Sequence, residues 1–169
     1  MHSISEINAM QPEQFVRVIG PAFEHSPWIA EKGAALRPFA NTESLHAALC
    51  ETVVAAPREK QIALIQAHPD LVGRAALRGT LTAESTREQI SVGLGRLTQD
   101  EIDLFQNLNA AYGEKFGFPF VICARLNKKE AILSGFRSRL NNDRESEIRT
   151  ALDEISKIAL LRLEDIVRA

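Results

Sequence analysis

The sequence predicts an all-α fold, a single-domain bundle of about eight helices with one buried extended segment over residues 116–124. Three observations point there. Helix-start signals recur along the chain with no repeat, low-complexity tract or Pro/Gly/Ser linker between them. Apolar residues are spaced by threes and fours in the stretches those signals open. One apolar run alone resists the helical pattern, and there is no second convincing strand to pair with it. The length of 169 residues suits one domain with one sizeable core.

Pro12 and Pro27 stand where first-turn prolines belong, Pro27 directly behind Ser26 as a possible cap, and open helices over 12–19 and 27–36. Leu45, Leu49 and Val53 set a four-residue rhythm in the helix within 41–56, and Ile62 with Ile65 marks the next within 57–68. Three capping boxes, Ser85 with Glu88, Thr98 with Glu101 and, more loosely, Asn127 with Glu130, start three further helices. The longest periodic segment, 141–167, repeats Ile148, Leu152, Ile155, Ala159 and Ile166, with Arg162 on the stripe between the last two. "FGFPFVICA", residues 116–124, combines Gly117 and Pro119 with consecutive large apolar residues. It reads as extended and buried, so its backbone polar groups need helices, side chains or a ligand as partners.

Composition excludes several classes of function. The net charge of −2, with charges of both signs mixed along the chain, leaves no basic face for nucleic acid. The two cysteines have no metal-ligand spacing, so no structural zinc is expected and a reducing compartment suits them. The N-terminal "MHSISEINAM" has neither a basic n-region nor an apolar h-region, no stretch has the length of a membrane span, and "DIVRA" is no peroxisomal address, so a cytoplasmic protein without membrane contact is expected. There is no Walker loop, GxGxxG after a strand, HExxH or GxSxG, so phosphate, dinucleotide and metal chemistry lack support.

Three features could carry chemistry. His68 precedes Pro69, and the residue before a proline leaves the helical region, so the ring is expected at a helix end, presented rather than buried. An imidazole there can exchange a proton at neutral pH, or it can simply complement the helix dipole at the surface. Ser85, Glu88 and Gln89 would supply a hydroxyl, a carboxylate and an amide on one turn, although a capping box accounts for the first two by itself. Arg162 on an apolar stripe must pair with a carboxylate, reach water or bind a planar anionic or ureido group. His2, His25 and His46 look ordinary.

Taken together, "FEHSPWIAEKG", "RPFANTESLHAAL", "AHPDLVGRAA", "LTAESTREQ", "LNAAYGEKFGFPFVICAR" and "EISKIALLRL", in that order, resemble the decarboxylases of 2-oxo-4-hydroxy-4-carboxy-5-ureidoimidazoline (OHCU) across nearly the whole chain. The resemblance implies an all-helical dimer that turns OHCU into (S)-allantoin during urate breakdown and needs no cofactor or metal. It implies His68 as the catalytic histidine with Glu88 as its carboxylate partner. Pro69, Ser85, Gln89 and the backbone of Phe120, Val121, Ile122, Cys123 and Ala124 would line the substrate, and Arg162 would bind it. Relatives fused to a hydroxyisourate hydrolase domain exist, and at this length the stand-alone form is expected. Two other readings stay open on the residues alone: an enzyme for another ureido compound, and a non-catalytic helical binding module.

Overall fold

The computed structural model describes residues 1–168, apart from the side chains of residues 74 and 75. Those residues form ten α-helices, eight of them seven residues or longer, with no sheet beyond one isolated bridge between His2 and Val167. The all-α expectation therefore holds. The chain divides into two compact units, Met1–Ala67 together with the C-terminal stretch from Ser156, and His68–Ile155.

The first unit holds α1 (Ile4–Ala9), α2 (Pro12–Ile19), a 3₁₀ turn (Gly20–Ala22), α3 (Pro27–Ala34), α4 (Thr42–Val54), α5 (Arg58–Ala67) and the C-terminal part of α10 (Arg144–Ile166). Pro12 and Pro27 are the first residues of their helices, as their fixed φ and missing N–H favour. Ser26 does not cap α3 through its side chain; its hydroxyl donates to the carbonyl of Glu24 instead. Leu45, Leu49 and Val53 are buried together on α4. Gly33 lets α3 approach α4 closely, since a Cβ there would clash with Leu49 Cδ2. On α5 the buried face is Gln61, Leu64 and Ile65, so Ile65 is buried as expected and Ile62 only half so. The helix α1, opened by a Ser3–Glu6 capping box, was not anticipated. Its single turn and a half is too short for a periodic apolar pattern to register.

The second unit holds α6 (Arg74–Arg78), α7 (Ala83–Ser91), α8 (Gln99–Phe116), a 3₁₀ turn (Ala124–Leu126), α9 (Lys129–Arg139) and the N-terminal part of α10. Phe105, Tyr112 and Phe116 on α8, Phe136 on α9, and Phe118 and Phe120 between them form an aromatic core. Phe120 stacks on Phe136 with ring centroids 3.7 Å apart. The extended segment is shorter than expected. Phe116 still belongs to α8, Gly117 closes that helix with φ +77°, and Ala124 opens the 3₁₀ turn. A left-handed residue at that cap is what glycine allows and other residues resist.

Only one of the three anticipated capping boxes forms, that of Thr98 with Glu101. Helix α7 starts three residues earlier than the Ser85 box implied, because the Thr82 hydroxyl accepts the N–H of Ser85 at 3.2 Å. Two hydroxyls three residues apart compete for one cap, and the earlier one leaves Ser85 inside the first turn. Asn127 likewise caps nothing. Its side chain donates to the Cys123 carbonyl, and α9 begins behind Lys128. On α10 the buried stripe runs through Ile148, Ala151, Ile155, Ala159 and Arg162, so Ala151 takes the place expected of Leu152.

Candidate functional site

Two stretches without helix in the second unit, residues 68–73 and 118–123, hold His68, Pro69 and residues 120–123 of the expected site, while Ser85, Glu88 and Gln89 lie on α7. Helix α5 stops at Ala67, one residue before His68, as the following proline requires. The ring is not displayed on the surface, however. His68 is only 7% exposed, because the chain beyond Pro69 folds back as a tight turn rather than leaving into solvent.

That turn is held by side chains from two helices. Gln89 of α7 accepts the Val72 N–H at 3.0 Å through Oε1, and its Nε2 donates to the Asp70 carbonyl at 3.4 Å. Asn109 of α8 donates through Nδ2 to the Leu71 carbonyl at 2.8 Å. Val72 stands at φ +54°, a region that a β-branched residue enters at a cost of about 1–3 kcal/mol unless its surroundings impose it. Gly73 completes the turn, since a Cβ there would lie 2.6 Å from Asp70 Cβ.

Ser85, Glu88 and Gln89 occupy positions i, i+3 and i+4 of α7 and therefore share one face of it. Ser85 and Gln89 are buried, whereas Glu88 is partly exposed. Helix α7 thus ties the His68 turn, through Gln89, to the helix face that carries Glu88. It also packs against the 3₁₀ turn Ala124–Leu126, directly behind the extended segment.

The extended segment is anchored by charged side chains. Arg139 donates from Nη1 to the Val121 carbonyl at 2.7 Å, and Glu154 accepts the Cys123 N–H at 2.7 Å. Arg139 also lies over the Phe120 ring, 4.3 Å from its centroid, and pairs with the fully buried Glu147 at 2.9 Å. Glu147 receives Asn142 at 2.8 Å and the Tyr112 hydroxyl. Burial, and after it the bond to Glu147, pushes the Tyr112 phenol well above its ordinary pKa, so it remains a protonated donor. Between those anchors, the N–H groups of Val121 and Ile122 have no hydrogen-bond partner among the described residues. Side chains therefore satisfy part of this backbone.

Arg162 lies in the first unit. It is buried, and its Nη1 donates to Glu24 Oε2 at 2.9 Å and to the Pro21 carbonyl at 3.1 Å. Of the fates open to a guanidinium on an apolar stripe, pairing with a buried carboxylate is realised here. Glu24 was not singled out in the sequence. Neither was Asn109, whose signal was an amide on the stripe Phe105, Asn109, Tyr112 and Phe116. A mainly apolar cavity of about 350 Å³ lies behind the turn, lined by Val72, Leu77, Thr86, Gln89, Ile90 and Leu94 among others. It reaches neither His68 nor Glu88, so it backs the turn rather than forming the place where they would act. Among the described residues, no group of three or more His, Cys, Asp and Glu side chains is placed to hold a metal ion.

Comparison with known proteins agrees with this architecture. A curated OHCU decarboxylase of Amia calva is 42% identical over 163 residues, covering 96% of this chain and 93% of its own. That of Mus musculus is 43% identical over 164 residues, covering 97% and 92%. The uric acid degradation bifunctional protein PucL of Bacillus subtilis matches at 41% identity over 99% of this chain, which spans 33% of that longer protein. Among solved structures, a crystal structure of (S)-allantoin synthase superposes with a TM-score of 0.76 at 25% identity, covering 98% of this chain and 54% of that one. The family model for OHCU decarboxylase matches residues 8–164, so this chain belongs to the OHCU decarboxylase family.

Proposed function

We propose that the protein decarboxylates OHCU to (S)-allantoin in urate degradation, with His68 and Glu88 as its acid–base pair. The observation that supports this most is the fastening of the His68 turn to α7 through Gln89, which joins the neighbourhoods of the two groups. The substrate bears a hydroxyl and a carboxylate on one ring carbon, next to a carbon in a C=N bond. When the bond to the carboxylate breaks and carbon dioxide leaves, its electron pair forms a C=C bond to the neighbouring carbon. The former C=N pair moves to nitrogen, which takes up a proton. The substrate thus supplies its own electron sink, and the reading requires no resident cofactor.

His68, polarised by Glu88, exchanges a proton with the substrate hydroxyl as carbon dioxide departs. The oxygen then becomes the ring carbonyl as the neighbouring carbon gains a proton on a single face, which yields the (S) product. Pro69, Ser85, Gln89 and the backbone of residues 120–124 line the substrate. The unpartnered N–H groups of Val121 and Ile122 suit its carbonyl oxygens. Gln89 uses Oε1 and one N–H on the turn and keeps one N–H for the substrate. Arg162 takes the substrate-binding role that the family resemblance gives it. The two units act as one decarboxylase domain, in a cytoplasmic homodimer that sedimentation would reveal.

The reading is tested by generating OHCU in place with urate oxidase and hydroxyisourate hydrolase and following circular dichroism. The expected result is faster decay of OHCU with accumulation of dextrorotatory (S)-allantoin. A rate and a racemic product equal to the protein-free control would move the chain to a binding role. His68→Ala is expected to lower turnover by about 10²-fold or more, and full activity in that variant would remove the acid–base assignment.

A further inference from the structure

The peptide unit between Leu71 and Val72 is gripped from both sides. Its carbonyl accepts Asn109 Nδ2 at 2.8 Å, and its N–H donates to Gln89 Oε1 at 3.0 Å. The amide of Gln89 is itself oriented by its second bond, to the Asp70 carbonyl. Turning this peptide over would relax Val72 from φ +54° towards negative values, and it would break both bonds. The clamp therefore selects the strained orientation.

Little freedom separates the clamp from His68. Pro69 has its φ fixed by the ring, and the carbonyl of Asp70 is held by Gln89. The orientation of the Leu71–Val72 peptide is thus passed back along a short, restricted path to the backbone that aims the imidazole. The opposite end of Asn109 shows that packing alone does not explain the residue. Its Oδ1 is buried with no hydrogen-bond partner, an arrangement a leucine of the same branched skeleton would avoid at this position on the core stripe.

We propose that Asn109 is a positioning residue for decarboxylation, which together with Gln89 locks the Leu71–Val72 peptide and thereby fixes the aim of His68. This rests on the reading of His68 as the acid–base group. Asn109 acts through the turn and touches no reacting atom.

The test compares Asn109→Leu in the wild-type and Val72→Gly backgrounds, because glycine holds a positive φ without the clamp. Asn109→Leu is expected to lower kcat about tenfold or more with KM within about twofold, the pattern of a misplaced catalytic group. In the Val72→Gly background the same substitution should cost a smaller factor. Hydrogen exchange supplies a readout independent of activity: the Val72 amide should lose protection in Asn109→Leu while the amides of Phe105 and Tyr112 keep theirs. Unchanged kcat, equal losses in the two backgrounds, or loss of protection throughout α8 would each overturn the proposal. Running His68→Ala alongside separates the two ideas. If His68→Ala is inactive and Asn109→Leu fully active, the clamp's role alone fails, whereas an active His68→Ala removes the acid–base reading and the positioning role with it.

Discussion

The two irregular stretches of the second unit are held by different chemistry. The turn at residues 68–73 is fastened by two neutral amides, keeps Val72 in a strained backbone region and leaves the Asn109 Oδ1 unpartnered. The segment at 118–123 is fastened by charged groups, in a network where both oxygens of Glu147 and three nitrogens of Arg139 are engaged. Aromatic rings enclose that network. A buried ion pair whose every group is satisfied makes its surroundings all or nothing, because removing one partner strands a charge. Neutral amides can be lost singly at modest cost to the fold. The extended segment is therefore built as a fixed wall, and the His68 turn as a part that can be misaligned while the protein stays folded.

The sharpest test of this contrast is Glu147→Ala, expected to destabilise the protein by about 3–5 kcal/mol because Arg139 is left buried and unpaired. Thermal and urea denaturation measure it, and a loss below about 1 kcal/mol would erase the distinction. Gly73→Ala comes next. Its Cβ would meet Asp70 Cβ at 2.6 Å and the Asp70 carbonyl oxygen at 3.3 Å, so the turn must shift. A cost of about 1–3 kcal/mol is expected, with kcat falling more than KM in the coupled assay; a stable variant with unchanged kcat would show that the turn's shape does not matter. A smaller effect is expected from Thr82→Ala, which removes the cap of α7 and costs about 1 kcal/mol in urea melts. Ser85→Ala should cost the helix start less, because Ser85 is not the cap. If the order of these two reverses, the capping box read from the sequence is the one that forms.

The candidate residues were legible in outline. His68, Ser85, Glu88, Gln89 and the run 120–124 stood out because each breaks a local rule: a histidine before a proline, polar groups crowding one helix turn, an apolar run with no strand to pair with. The burial of His68 was not legible, since the direction the chain takes after Pro69 depends on Gln89 and Asn109, which lie 17 and 38 residues from the backbone groups they hold. The start of α7 was missed for a different reason, as two hydroxyls in "TAES" both satisfy the local rule and only one can cap.

By itself the sequence determined the helical class, several helix starts and the family, because periodicity, proline placement and motif order are local or linear properties. Tertiary structure decided which polar residues face inward and what they hold: Arg139 and Glu147 around the extended segment, Asn109 and Gln89 around the strained turn, Glu24 against Arg162. The physical reason is that a buried polar group must find its partner in space, and no spacing along the chain encodes which distant group that will be.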